Sequence, residues 1–265
     1  MPRPAKMRAI GVLGGMGPEA TVLLMSRVIA LTPANDDSDH VPMMIDNNTQ
    51  VPSRIKAIIE KTGEDPGPVL VAMARRLAEA GVEALVMPCN TAHHYAPLLK
   101  EAVSIPFLDM VELTADHIVG LWGSIDCPAV SRVGMLASPA VRITGVFNRA
   151  FAARGLTPVY SPHQDVMLAC IKAIKAAGQR DTAIELLQNA AAELITEGVD
   201  LLLVACSELS LIKNCLPHEI LVVDAIDVLA EAVIAFSRDG VAGSVKMGME
   251  KTATMVAYVN GDTSK

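Results

Sequence analysis

Two cysteines stand where their thiols could move protons. Cys89 and Cys206 each end an apolar run and begin a polar one. The alternation of patterns predicts both at the C-terminal end of a strand and before a helix, whose free N–H groups and positive dipole end favour thiolate. A free thiol titrates near ~8.5, so a modest lowering of its pKa gives a base at neutral pH. One thiolate and one thiol across a cleft could remove a proton from a carbon and return one to the opposite face, inverting a stereocentre without a cofactor.

Polar residues beside these cysteines are candidate partners for the same chemistry. Asn90, Thr91 and Ser207 could donate hydrogen bonds to a substrate carboxylate and so stabilise a carbanion next to it, or they could cap helices, or both. His93 could orient or protonate a group near the first cysteine, or be a polar helix residue bonded locally. Glu208 could hydrogen-bond the second thiol. The other three cysteines, Cys127, Cys170 and Cys215, are predicted to be small core residues.

An internal repeat places the two cysteines at equivalent positions. Gly81–Cys89 and Gly198–Cys206 share glycine, valine, leucine and cysteine at a constant offset of 117 residues. In the same order, Ile10–Gly14 matches Val133–Ala137, and Phe107–Asp109 matches Val223–Asp224, whose aspartates we expect to cap helices. The repeat predicts two similar halves that each contribute one thiol to a shared cleft.

The fold class expected from this pattern is α/β. Short apolar strands alternate with helices, which is typical of mainly parallel sheets built from βαβ units, with ligands at the C-terminal strand ends. We therefore predict two similar α/β domains with mainly parallel sheets, with the active site in the cleft between them. The expected boundaries are residues 1–112 with 217–240, then 113–216, with 241–265 as a tail or appendage. Ile105–Leu108 is predicted to be a fourth strand of the first domain.

Composition excludes several other classes of protein. Apolar residues make up 51% and charged residues 19%, which rules out a disordered chain. A net charge of −7 and only 3% aromatic residues argue against nucleic acid as a partner. The chain has no run of 18 apolar residues, so no membrane span is expected. Five cysteines without a Cys-x-x-Cys pair indicate a reduced, cytoplasmic protein, and neither histidine nor cysteine spacing predicts a metal site.

The chain resembles the cofactor-independent aspartate/glutamate racemases, in particular the aspartate racemase branch. The resemblance runs from about Ile10 to Ala235 and rests on four stretches. These are Gly14-Gly-Met-Gly-Pro-Glu-Ala-Thr21, Asn47-Asn48 with Arg54 downstream, Met87-Pro-Cys-Asn-Thr-Ala-His93, and the strand that ends in Cys206-Ser207-Glu208. It implies two α/β domains related by a pseudo-two-fold axis. It also implies racemisation of an acidic amino acid, aspartate or glutamate, by the two cysteines, with no cofactor and with homodimers common.

The resemblance also implies the substrate contacts. They would come from Met16, Gly17, Arg54, Asn90, Thr91, Lys175 and Ser207, with Asn48, His93 and Glu208 as possible supporting residues. Arg54 and Lys175 would bind the distal carboxylate of the substrate, and Lys172 competes with Lys175 for that role.

Other interpretations remain open. The same superfamily includes enzymes that racemise hydantoins, isomerise maleate or decarboxylate malonates. The turn Gly15-x-Gly17-x-x-Ala20 after a strand also resembles a dinucleotide fingerprint, although Asp46 lies farther along than the ribose-binding acid usually does. A non-catalytic module of two lobes that binds a small molecule would explain the architecture but not the paired thiols.

Overall fold

The computed structural model describes residues 7–121, 131–176 and 178–240. Cys127 and the predicted tail at 241–265 lie outside these residues. The described elements alternate strand and helix throughout, and the named strands pair only in parallel. The predicted α/β class is therefore confirmed. Among the described residues, no helix is long and apolar enough to cross a membrane.

The first half is a three-stranded sheet with helices on both faces. Its strand order is β2-β1-β3. The strands are β1 (Ile10–Gly14), β2 (Met43–Asn47) and β3 (Ala84–Val86). The helices are α1 (Pro18–Leu31), α2 (Gly67–Glu79), α3 (Ala96–Ala102) and α4 (Met110–Gly120), with a π-helical turn at Ile55–Glu60 and 3₁₀ turns at Asp37–Asp39 and Thr91–Tyr95.

The second half repeats this plan with four strands. Its strand order is β5-β4-β6-β7, so β4 takes the place of β1 and β6 that of β3. The strands are β4 (Arg132–Ala137), β5 (Thr157–Tyr160), β6 (Leu201–Ala205) and β7 (Leu221–Asp224). The helices are α5 (Pro139–Thr144), α6 (Val146–Ala152), α7 (Gln164–Lys175), α8 (Arg180–Thr196) and α9 (Ala225–Asp239), with a 3₁₀ turn at Leu209–Cys215.

Two details of the predicted organisation differ in the structure. Strand β7 pairs with β6 and extends the second sheet, whereas the predicted boundary groups 217–240 with the first domain. The expected strand Ile105–Leu108 makes a single bridge, between Phe107 and Leu85. The ladder does not extend toward residue 105, where the next donor would be the nitrogen of Pro106, which carries no hydrogen. It does not extend in the other direction, where the Met110 N–H donates to His93 Nε2 instead.

A shared core joins the two halves. One hydrophobic cluster takes residues from one face of each sheet, and helix α9 packs against both α1 and α4. The opposite face of the first sheet packs on α2 and α3, and that of the second packs on α7 and α8. Cys89 lies in the first of these outer clusters and Cys206 in the second. The equivalent placement of the two cysteines follows from the repeat of the whole half, and Cys170 is also buried in the outer cluster of the second half.

Candidate active site

The two cysteines lie at matching strand ends and are equally buried. Cys89 is three residues beyond β3 and Cys206 is the residue after β6, and each is 6% exposed. Each is followed by a short 3₁₀ turn rather than directly by an α-helix, and its carbonyl oxygen accepts from the backbone three residues on. The stabilisation of a thiolate by the N-terminus of an α-helix, expected from the sequence, is therefore weak at both cysteines.

The backbone of each cysteine is tied to the start of the next long helix. His93 Nδ1 lies 2.9 Å from the Cys89 carbonyl oxygen, and its Nε2 accepts from the Met110 N–H at 3.1 Å, at the start of α4. At the position equivalent to His93, the Ser210 hydroxyl lies 2.8 Å from Asp224 Oδ1 and 3.5 Å from the Cys206 carbonyl. Asp224 caps α9 as Asp109 caps α4, which confirms the predicted caps. His93 thus orients the cysteine backbone.

We expect the contribution of His93 to stability to depend on pH. Burial is the main cause that lowers its pKa, and it outweighs the nearby Asp109 carboxylate. The unfolded chain then binds a proton that the folded protein does not, so this contribution is complete above about pH 6.5 and is lost as the pH falls below it, at up to about 1.4 kcal/mol per pH unit. Urea unfolding between pH 5 and 8 gives the free energy of unfolding of the wild type and of His93→Gln. The difference between these two free energies at each pH measures the contribution of His93. A difference that stays constant with pH would contradict a neutral His93.

Glu208 and Lys175 form a chain of contacts that ends on the second thiol. Cys206 Sγ donates to Glu208 Oε2 at 3.2 Å, and Glu208 Oε1 lies 2.7 Å from Lys175 Nζ. Burial, followed by the Glu208 charge, raises the pKa of the Cys206 thiol well above its usual value, contrary to the lowering expected from the sequence. Burial would lower the pKa of Lys175, but Glu208, followed by smaller contributions from Cys206 and Cys89, raises it. Both thiols are therefore within electrostatic reach of one ammonium group.

The segments that follow the two cysteines also make contacts between the halves. Thr91, two residues after the first cysteine, hydrogen-bonds the Ser138 hydroxyl of the second half at 2.9 Å. A β-carbon built on Gly17 of the first half would lie 3.8 Å from Glu208 Oε1. The two contacts are related by the repeat, since Thr91 corresponds to Glu208. Ser138 was not predicted, although the offset between β1 and β4 pairs it with Gly15.

The turn after β1 brings its backbone close to the loop after β2. Gly15 has a positive φ of 88°, and its N–H donates to the Thr21 hydroxyl at 3.0 Å. A β-carbon on Gly15 would lie 2.3 Å from the backbone carbon and oxygen of Asn48. Met16 is 3% exposed and packs in the same cluster as Cys89. The predicted Met16-Gly17 segment thus shares a hydrophobic cluster with Cys89 and lies close to Glu208.

Two buried polar side chains follow the cysteines directly. Asn90 is 2% exposed, and within the described residues neither its amide oxygen nor its amide nitrogen has a hydrogen-bond partner. It does not cap the turn that follows, contrary to one of its two expected roles. Ser207 is 1% exposed at the equivalent position. A buried amide without a partner is costly, so Asn90 is a strong candidate to bind a polar ligand.

The cationic residues predicted to bind the substrate, Arg54 and Lys175, have different partners in the structure. Arg54 donates to the carbonyls of Val51 and Pro52 in its own loop, at 3.3 and 2.9 Å, and these contacts do not place it against either thiol. Its buried Nε has no hydrogen-bond partner among the described residues. Lys172 and Lys175 are both exposed and lie one turn apart on α7, and the ammonium of Lys175 pairs with Glu208. The structure thus brings together Cys206, Glu208 and Lys175, whereas the Arg54 guanidinium hydrogen-bonds carbonyls of its own loop.

Comparisons with known proteins identify the family of the chain. Residues 13–233 match the sequence model of the Asp/Glu/hydantoin racemase family. The broad-specificity amino-acid racemase RacX of Bacillus subtilis (strain 168) is 27% identical over 231 residues, which are 85% of this chain and 96% of that protein. The solved structure of the aspartate racemase from Picrophilus torridus is 29% identical, with a TM-score of 0.75 over 87% of this chain and 94% of that one.

A glutamate racemase supports the two-domain fold alone. The isoform RacE1 from Bacillus anthracis is 17% identical, with a TM-score of 0.64 over 97% of this chain and 95% of that one. The family match covers most of the chain and includes both cysteines with their neighbours. The chain therefore belongs to the Asp/Glu/hydantoin racemase family and is an isomerase, an amino-acid racemase.

Proposed function

We propose that the protein racemises an acidic amino acid, with aspartate as the first candidate and glutamate as the second, without pyridoxal phosphate. The observation that carries the proposal is the pair of thiols, equally buried at equivalent strand ends and both within electrostatic reach of Lys175. The P. torridus relative is described as an aspartate racemase, which supports the choice of aspartate.

The proposed reaction is a two-base proton transfer at Cα. A thiolate takes the α-proton, so an S–H bond forms while the C–H bond breaks and its electron pair passes into the carboxylate as an enolate. The opposite thiol then gives its proton to the other face of Cα, and its S–H electron pair stays on sulfur. Cys89 and Cys206 exchange roles between the two enantiomers. Each thiol thus serves as a base in one direction and as an acid in the other.

The stabilising donors come from the residues after each cysteine. The Asn90 amide has no partner of its own among the described residues, and Ser207 is buried at the equivalent place. Donors held in a site that excludes water stabilise developing negative charge more strongly than they would in water. We propose that Asn90, Ser207 and Thr91 bind the α-carboxylate, while the Met16-Gly17 backbone forms the adjoining wall. Asn48 supports that wall through its contact with Gly15.

Selection of an acidic side chain is assigned to Arg54. Lys175 is already paired with Glu208, which leaves the guanidinium as the better candidate for a distal carboxylate, provided that its side chain turns away from the loop carbonyls. Arginine binds carboxylates through two parallel hydrogen bonds, and charge-assisted bonds contribute about 1.5–3 kcal/mol.

A substrate panel tests the proposal and its specificity. Purified protein is incubated in deuterated water without pyridoxal phosphate, with each enantiomer of aspartate, glutamate and alanine. We expect racemisation with solvent deuterium at Cα, fastest for aspartate. Arg54→Met should lower kcat/KM for aspartate about tenfold to a hundredfold and leave alanine unaffected. Similar rates for all three amino acids, with no effect of Arg54→Met, would contradict selectivity for acidic substrates. The protein would then have a broad substrate range, as the name of the B. subtilis relative describes for that protein.

A homodimer in a reduced, cytoplasmic setting completes the proposal. The dimer rests on the resemblance to the racemases. The compartment rests on the odd number of cysteines and the lack of a Cys-x-x-Cys pair.

A further inference from the structure

We infer that Glu208, held in its charged form by Lys175, keeps Cys206 protonated in the free enzyme. Cys89 is then the base available in that state, and Cys206 becomes a base for the opposite enantiomer only after it has given its proton to Cα. The inference rests on the proposed two-thiol reaction and assigns different resting states to its two thiols. It also gives Lys175 a role other than binding the distal carboxylate.

The hydrogen bond itself distinguishes thiol from thiolate. Cys206 Sγ lies 3.2 Å from Glu208 Oε2, and a carboxylate can only accept. The thiol form satisfies this contact, whereas a thiolate would place two negative groups against each other in a buried site. Glu208 is 8% exposed, so water screens that repulsion little.

Lys175 keeps the carboxylate charged. Its Nζ lies 2.7 Å from Glu208 Oε1, the oxygen that does not face the thiol. Burial acts to raise the pKa of Glu208, but Lys175 and the thiol donor outweigh it and lower the pKa overall. Each oxygen of Glu208 therefore has its own donor, and the carboxylate is fixed as an acceptor for Cys206.

The first half has no carboxylate at the position equivalent to Glu208. Thr91 stands there, and its neutral hydroxyl pairs with Ser138. The electrostatic difference between the thiols therefore arises from one substitution between the repeats, threonine against glutamate. Both cysteines have the same residue exposure of 6%, so we attribute the expected difference in their reactivity to protonation.

Alkylation of the whole, substrate-free protein with iodoacetamide tests the inference. The thiolate is the reactive form, so peptide mass spectrometry at pH 7 should show Cys89 reacting at least about tenfold faster than Cys206. Glu208→Gln should accelerate alkylation of Cys206 by about threefold for each unit by which its pKa falls, because lower nucleophilicity only partly offsets the roughly tenfold gain in thiolate. The rate at Cys89 should change by less than about twofold.

Two further variants control the measurement. Glu208→Asp keeps the charge and should leave Cys206 slow. Glu193→Gln makes the same change at a carboxylate that bonds Ser161 in the same half, and should change neither cysteine. Equal rates at the two thiols of the wild-type protein, or an unchanged Cys206 in a folded Glu208→Gln protein, would overturn the inference. If Glu208→Gln does not fold, the wild-type ratio alone decides.

The alkylation rates do not depend on turnover. A protein that racemises nothing yet shows fast Cys89 and slow Cys206 would refute the proposed function while retaining the assigned protonation states. A protein that racemises aspartate with equally reactive thiols would refute only the inference.

Discussion

Replacing either Cys89 or Cys206 by serine is expected to reduce racemisation by at least about a hundredfold. A positioned acid or base typically contributes 10²–10⁴-fold, and a serine hydroxyl is too weak an acid to replace a thiol in this role. The two cysteines lie at equivalent strand ends with the same 6% exposure, so the predicted loss is severe at both. Circular dichroism following the conversion of L-aspartate, and separately of D-aspartate, measures it in both directions.

The control for this experiment is Cys215→Ser. Cys215 is half-buried at the end of the turn Leu209–Cys215 and is predicted to have no part in the reaction, so this variant should keep its rate within about twofold. Full activity in Cys89→Ser or Cys206→Ser would end the two-thiol proposal. Loss of activity in all three variants would point to a general effect of cysteine replacement rather than to acid–base chemistry.

The second large effect is expected at Gly15. Gly15→Ala places a side chain at φ 88°, which is unfavourable by about 1–2 kcal/mol for an L-residue. The new β-carbon would also lie 2.3 Å from the Asn48 backbone, which cannot yield as a flexible side chain does. We expect a total loss of about 3 kcal/mol or more in the free energy of unfolding, together with loss of activity, since the turn adjoins Glu208.

Gly81→Ala separates the cost of the backbone conformation from the cost of steric overlap with Asn48. Gly81 has nearly the same φ, 87°, but nothing lies within 4 Å of its built β-carbon. Its replacement should cost only the conformational part, about 1–2 kcal/mol, and should leave the reaction intact. Chemical unfolding of both variants gives the difference directly. Equal losses would mean that the approach of Gly15 to Asn48 contributes nothing beyond the backbone conformation.

Most of the strand–helix pattern could be predicted from the sequence because it is local. Apolar runs of four to six residues locate the strands of both sheets, and the repeat pairs Cys89 with Cys206. The error at Leu221–Asp224 has a different origin. Which neighbour a strand pairs with depends on the path of the chain through space, and a short apolar strand carries no mark of its sheet.

The candidate site was predictable in its residue types and less so in its contacts. Asn90 and Ser207 can be chosen as candidates from the sequence because they adjoin the cysteines. Ser138 and Ser210 were missed because they lie in the middle of the repeat without a conspicuous motif, although the offset between the halves points to both. The role of Lys175 could not be read from the sequence, since it depends on which carboxylate lies within reach of a long, flexible side chain.

The sequence by itself determined the two thiols, the glycine turn that adjoins them and the duplicated α/β plan, because these depend on residue type and local spacing. Only the tertiary structure decided the states of these groups. It brings Lys175 on α7 to Glu208 and places Glu208 against Cys206, and it ties His93 to the start of α4. The physical reason is that a protonation state depends on burial and on neighbouring charges, and folding brings those charges from elements far apart in the chain.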